Sequence, residues 1–209
     1  MTDGQLFFLV IVAAGVLTLG YFFGRKKNLK LAQSIGRELE GVLHPRDQTY
    51  TWLGGVLGFK AEYRGIEWAP RVEATLTLLP RHSLLYLPVA LLVTGGDRLF
   101  VVARPTKAIS GEAHVIATSY RRRLGRLPGE QGWHREAVEA RGERFEVLAE
   151  DRRTAAGLRE WLQSLTQPRR VKHIALTPKM GTLYLYLVPI PGEIRPILDS
   201  ILAWFRNRG

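Results

Sequence analysis

The eighteen consecutive residues from Leu6 to Phe23 carry no charge, and Thr18 is the sole polar side chain among them. As a helix this run spans roughly 27 Å, close to the thickness of a bilayer's hydrocarbon core. Its apolar residues occupy the whole circumference, whereas a helix on the surface of a soluble domain keeps a polar face. A cleaved signal peptide begins with basic residues and closes on small ones. Here the start holds Asp3 and no base, and the run closes on Tyr21, Phe22 and Phe23, aromatics suited to a membrane interface. The sequence therefore predicts an external N-terminus at 1–5 and an uncleaved transmembrane helix at 6–23.

Charge sets the orientation. Arg25, Lys26, Lys27 and Lys30 form a membrane-flanking basic cluster directly after the run, and no Lys or Arg precedes it. The positive-inside rule then leaves the N-terminus outside and the rest of the chain in the cytosol. All 30 basic residues lie at or after Arg25, against 19 acidic residues in the whole chain. Such an excess points to an anionic partner, phosphate-rich RNA or anionic lipid. The absence of Cys excludes disulfides, thiolate metal sites and a Cys nucleophile.

Residues 24–48 read as a juxtamembrane segment. From Asn28 to Leu43 the apolar positions Leu29, Ala32, Ile35, Leu39 and Val42 recur at helical steps, and this amphipathic helix is expected to pack on the domain behind it. His44, Pro45, Arg46 and Asp47 end it. Residues 49–209 read as an α+β domain of mainly antiparallel sheet with helices. Strands are predicted at Thr49–Leu53, Val56–Tyr63, Arg71–Leu78 and Arg98–Ala103, with a helix over Arg81–Val93 kinked or shortened by Pro88. A hairpin at His134–Ala140 and Arg144–Ala149 follows, then a helix over Asp151–Leu165 with Leu158, Trp161, Leu162 and Leu165 on its buried stripe. Strands Lys172–Thr177 and Thr182–Val188 precede a last helix, Glu193–Arg206, whose Ile194, Ile197, Leu198, Ile201, Leu202 and Phe205 share one face. Strand, strand, helix and strand thus occur twice, the pattern of a degenerate duplication. The joining piece, Pro105–Gly132, reads as part helix and part exposed loop.

Chemistry is sparse. The histidines at 44, 82, 114, 134 and 173 lack the spacing of a metal site, Gly54, Gly55 and Gly58 read as turn glycines, and no serine sits in a nucleophile elbow. The reading is of a non-enzyme without cofactor, metal or small-molecule substrate. What stands out is the basic surface. Arg121, Arg122, Arg123 and Arg126, with Arg169, Arg170 and Lys172, are the candidate contacts to ribosomal RNA or lipid phosphate, because clustered Arg repels itself unless an anion is near. Arg206 and Arg208 extend that surface. In the anchor, Gly15 and Gly20 are candidate packing positions for a partner helix.

Three stretches resemble the cytosolic domain of the calumin family, endoplasmic-reticulum coiled-coil-domain proteins of the PAT complex in the multipass translocon. They are Gly24, Arg25, Lys26, Lys27 and Asn28 with Leu31, Ala32 and Gln33; Leu79 to Pro105 around Arg81, Leu84, Leu85 and Asp97; and Lys172 to Phe205 with Pro189 and Pro191. The family's acidic lumenal region and basic coiled-coil tail have no counterpart, as in a reduced prokaryotic relative, so calcium binding is not carried over. The resemblance implies a chaperone or adaptor for insertion of multi-pass proteins, with translocon subunits, a small membrane partner and the ribosome as partners, in the cell membrane of a prokaryote. The rival is a membrane-anchored scaffold for anionic lipid or another protein, unrelated to translation. An enzyme would need polar groups that only folding brings together.

Overall fold

The computed structural model describes residues 2–207; Met1, Arg208 and Gly209 lie outside them. A single helix, α1 (Asp3–Leu43), runs through both the apolar segment and the juxtamembrane segment without a break. At 1.5 Å per residue its 41 residues measure about 62 Å. The two segments predicted separately are one rod because nothing between Phe23 and Asn28 breaks a helix. None of its most apolar 18-residue window is buried. This is the one helix long and apolar enough to cross a membrane among the described residues. The second part turns a row of Gly24, Asn28, Ala32, Ile35, Gly36, Leu39 and Leu43 into the domain, leaving Leu29 and Val42 only partly covered. His44 ends the rod in a left-handed conformation, its N–H donating to the Glu40 carbonyl.

Nine strands form one antiparallel sheet: β1 (Asp47–Trp52), β2 (Gly58–Ile66), β3 (Ala69–Thr77), β4 (Arg98–Arg104), β5 (Ala113–Ala117), β6 (His134–Ala140), β7 (Glu143–Ala149), β8 (Val171–Thr177) and β9 (Thr182–Leu187). Their spatial order is β1-β2-β3-β4-β9-β8-β5-β7-β6. Gly58 lies with φ 128° opposite Thr77, and a Cβ there would meet the Leu76 carbonyl oxygen at 2.0 Å, so the turn into β2 demands glycine. Alternation in β2, β3, β4 and β9 turns Phe59, Val72, Leu99 and Leu185 to one face. That face is covered by the second part of α1, by α4 (Arg152–Ser164) and by α5 (Ile194–Asn207), in one continuous core.

Helix α5 buries all six residues of its predicted stripe. Glu38 of α1 accepts hydrogen bonds from Gly192 N at 2.7 Å and Arg195 N at 3.1 Å, satisfying free N–H groups at the start of α5. Helix α4 starts at Asp151, whose carboxylate accepts from Thr154 N at 2.7 Å. Its Trp161 Nε1 donates to Ser200 of α5 at 3.0 Å.

Three expectations change. The segment 81–93 is turns followed by a short helix, α2 (Leu87–Thr94), with Pro88 in its first turn, where a missing N–H costs nothing. Within Pro105–Gly132 lie a central strand, β5, and a helix, α3 (Thr118–Leu124). All five β5 residues are buried because β7 and β8 flank it and both faces are covered, which erases the alternation that marks a half-buried strand. The duplication has no counterpart in the topology: β3 pairs directly with β4, whereas β5 separates β7 from β8.

Candidate functional site

The register places Gly58, Thr77 and Arg98 side by side, and Leu99, Leu187 and Val171 one step further along, at one end of the sheet. This is the end that the apolar part of α1 enters. Gly24 lies so close to the backbone at residue 81 that an added Cβ would stand 2.0 Å from the Arg81 carbonyl oxygen. Four residues earlier, the Cβ position of Gly20 is filled by the Leu84 side chain at 2.3 Å, and the Tyr21 ring meets that of His82 edge-on, centroids 5.9 Å apart. Gly20 is therefore occupied from within the chain. Gly15 has nothing within 4 Å and keeps its open face.

A polar clasp locks this junction. Asn28 is 0% exposed and its side-chain amide donates to the carbonyls of Val56 at 3.0 Å and Leu79 at 2.8 Å. Its Oδ1 accepts from the Arg81 guanidinium at 3.1 Å. Arg81 in turn makes a bidentate pair with Asp97 at 2.6 and 3.0 Å, and Asp97 also accepts from Leu79 N at 2.8 Å. Asn28, Arg81 and Asp97 thus each have a partner from a different segment, and the two ends of the loop 81–97 are tied to each other and to α1. Between them, the fourteen residues Ser83–Gly96 carry no charge. Helix α2 buries only Ala90, while Leu85 is 78% and Leu92 83% exposed, with Tyr86, Val89, Leu91 and Val93 also exposed.

The basic residues divide by their partners. Arg121 pairs with Glu130 at 2.6 Å and Glu146 at 2.7 Å, and Glu130, 6% exposed, also binds Arg135. The Leu127 N–H and the Arg121 guanidinium hold the Glu130 carboxyl below its ordinary range. Arg170 pairs with Glu193, whose carboxyl it also depresses. Of the candidate phosphate contacts, Arg121 and Arg170 are therefore bound into the fold. Arg122, Arg123 and Arg126 are exposed and have no carboxylate partner among the described residues, and Arg169 bonds only Gln167. Arg123 and Lys172 line a cleft of about 250 Å³ with Gly95, Gly96, Tyr120 and Tyr186, at the end where the apolar part of α1 enters. Lys26, Lys27 and Lys30, with Phe23, Ser34 and Pro191, line an open groove of about 540 Å³ along α1. Lys26, Lys27 and Lys30 of the membrane-flanking cluster thus lie at the same end as Arg123 and Lys172.

On the opposite face of the sheet, α3 packs beside β5, β7 and β8, and Trp133 of the loop after it lies on His114. There His114 Nδ1 and His173 Nε2 stand 3.1 Å apart, with Trp133 stacked on His114 at 5.3 Å and Tyr120 over His173. The sequence places no ligand beside either histidine; β5 and β8 make them neighbours across a strand pair. Burial is the main force pushing His114 down to about 4 and His173 down to about 3, with Arg121 adding to both and His114 to His173. Both rings are neutral at pH 7, so one can donate to the other. No group of three His, Asp or Glu side chains suited to a metal ion occurs among the described residues.

The end of the sheet at which the apolar part of α1 enters therefore supplies positive charge, hydrogen-bond donors and apolar surface. Comparison with known proteins gives no matching family model and no matching curated protein.

Proposed function

We propose that this chain is a non-enzymatic, single-pass membrane adaptor, N-terminus outside, that stands on the cytosolic leaflet beside the insertion machinery and aids multi-pass proteins. The observation that carries the membrane-apposed part is the gathering of unpaired cations and apolar surface at the end of the domain where the bare part of α1 enters. Phosphate headgroups of anionic lipid are the chemistry such an end meets, each nearby Lys or Arg contributing about 1 kcal/mol of attraction. The continuous helix supports an anchor rather than a cleaved leader, since cutting after Phe23 would sever a rod whose second part lies in the core. The biogenesis part rests on the calumin resemblance of residues 24–33, 79–105 and 172–205. Gly15 supports it further, as an open small-residue face for a membrane partner's helix.

The test is purification of the full chain from detergent-solubilised membranes, with ribosomes, translocon subunits and phospholipid headgroups assayed together. Co-purification of ribosomes and translocon subunits, weakened by Gln at Arg122, Arg123 and Arg126, supports the adaptor. Enrichment of anionic phospholipid with neither of them favours the scaffold unrelated to translation. Protease added to sealed right-side-out vesicles should spare the domain; its digestion would reverse the orientation.

A further inference from the structure

We infer that the loop 81–97 is a second membrane element, with α2 embedded in the same leaflet that α1 leaves, so that the domain is held at two points rather than one. The inference rests on the reading of α1 as membrane-spanning, and deepens it.

Direction and depth both follow from contacts. As the chain runs from residue 81 to residue 84, its contacts on α1 run backwards, from Gly24 to Gly20. Four residues of helix rise about 6 Å, so the loop climbs along the anchor toward its apolar part. Gly20 lies inside the run that ends at Phe23, and Leu84 is packed against it. Tyr21 and His82, a pair with apolar bodies and polar tips, mark the level of the interface. Beyond Leu84 the exposed side chains are Leu85, Tyr86, Val89, Leu91, Leu92 and Val93. A helix apolar on all sides has no face for water, and the domain covers only Ala90 of it.

The feet of the loop have the opposite character. Arg81 and Asp97 are charged, paired and hydrogen-bonded to Asn28, which fixes the point at which the chain departs and returns. The returning end is also suited to an interface: Arg98 donates to the Thr94 carbonyl and Arg123 lies beside Gly95, cations placed where α2 ends. The occupant of the exposed apolar surface is thus lipid, because the surface is continuous with the anchor's own lipid-facing surface and is bounded by charge at the same level.

The chain has no Cys, so single cysteines report without background. Leu85→Cys, Leu92→Cys, Val12→Cys and His44→Cys, each made in the full chain, would be labelled with an environment-sensitive fluorophore and reconstituted in anionic phospholipid vesicles. Spin-labelled lipids carrying the quencher at shallow and deep positions are then added. The expected result is blue-shifted emission and lipid quenching at Val12, Leu85 and Leu92, with the shallow quencher acting most strongly on the last two, and neither effect at His44. Quenching at Val12 alone, with Leu85 and Leu92 behaving as His44, overturns the inference and leaves the anchor intact. Blue-shifted emission at Leu92 without quenching also overturns it, since protein rather than lipid then covers the helix. Loss of quenching at Val12 as well removes the spanning reading, and the inference with it.

Discussion

Helices α2 and α4 both follow a hairpin and precede a strand, yet one shuns the protein core and the other completes it. Helix α4 opens on the Asp151 cap, shows Arg152, Arg153 and Glu160 to solvent, and buries Leu158, Trp161 and Leu162 against the sheet and α5. Helix α2 has no side-chain cap, no charge and one buried residue. Helix α2 is apolar all round, whereas the apolar residues of α4 share one face. A single stripe fits between a sheet and water, whereas an all-round coat fits only in an apolar medium. The same grammar of elements therefore gives a core helix in one half and a helix left outside the core in the other.

The sharpest way to break this comparison is truncation on both helices. Leu162→Ala in α4 and Leu198→Ala in α5 remove side chains that are 0% and 1% exposed and should each cost about 2 to 5 kcal/mol through the cavity left behind. Leu92→Ala in α2 should stay within about 0.5 kcal/mol when the full chain is unfolded thermally in detergent. An equal loss at Leu92 would make α2 part of the core after all.

The clasp sharpens it next. Asp97→Asn leaves Arg81 without its bidentate partner and should cost about 2 kcal/mol, because hydrogen bonds to charged groups contribute about 1.5 to 3. Its second effect should be fraying of residues 81–97 alone, read as faster hydrogen exchange there with β6 and β7 unchanged. Uniform acceleration across the sheet would deny that the loop is tied on as a separate unit.

Acid should act on the other half. His114 and His173 have folded-state pKa values near 4 and 3, below the ordinary 6.5, so the unfolded chain binds more protons between these values. Stability is thus fully present above about pH 6.5 and falls as pH drops toward 4 and 3. Trp133, stacked on His114, is the place to read it: its near-ultraviolet signal should fade before the β1–β4 half loosens, and Gln at both histidines should flatten the profile. A profile unchanged by the double variant would exclude the pair as the cause.

The smallest expected change concerns the cations. Gln at Arg122, Arg123 and Arg126 together should alter stability by no more than about 0.5 kcal/mol, since none holds a carboxylate among the described residues. Arg121→Gln alone should lower the melting temperature visibly, because it strips partners from Glu130 and Glu146. Equal effects would erase the division between fold-bound and free cations.

Local pattern was enough for the elements that present one face to water. The α5 stripe from Ile194 to Phe205 and the hairpin over 134–149 are legible because spacing and turn chemistry act within a few residues. Strand β5 was not, since cover on both sides removes the periodic signal. Nor was the division within the Arg cluster: Glu146 reaches Arg121 from β7, and nothing in a run of arginines says which one it takes. Asn28 was hidden for the same reason, as its partners lie 28 to 53 residues away and it reads locally as one polar residue on a helix. In the sequence the basic surface reads as scattered patches; that Arg123 and Lys172 share one cleft depends on how the sheet and α3 fold together.

One consequence of the unbroken α1 is mechanical. The rod passes from its bare part into the core with no joint, Asn28 fastening it to the turns before β2 and after β3, and Glu38 to the start of α5. With α1 as the proposed anchor, its tilt and the attitude of the domain are then a single degree of freedom. Membrane helices lean by about 20° on average, and over a rod of about 62 Å that lean carries the far end sideways by roughly 20 Å. A thinner or thicker bilayer, by changing the lean of the anchor, would swing the whole sheet like a rigid pointer, with no moving part inside the fold.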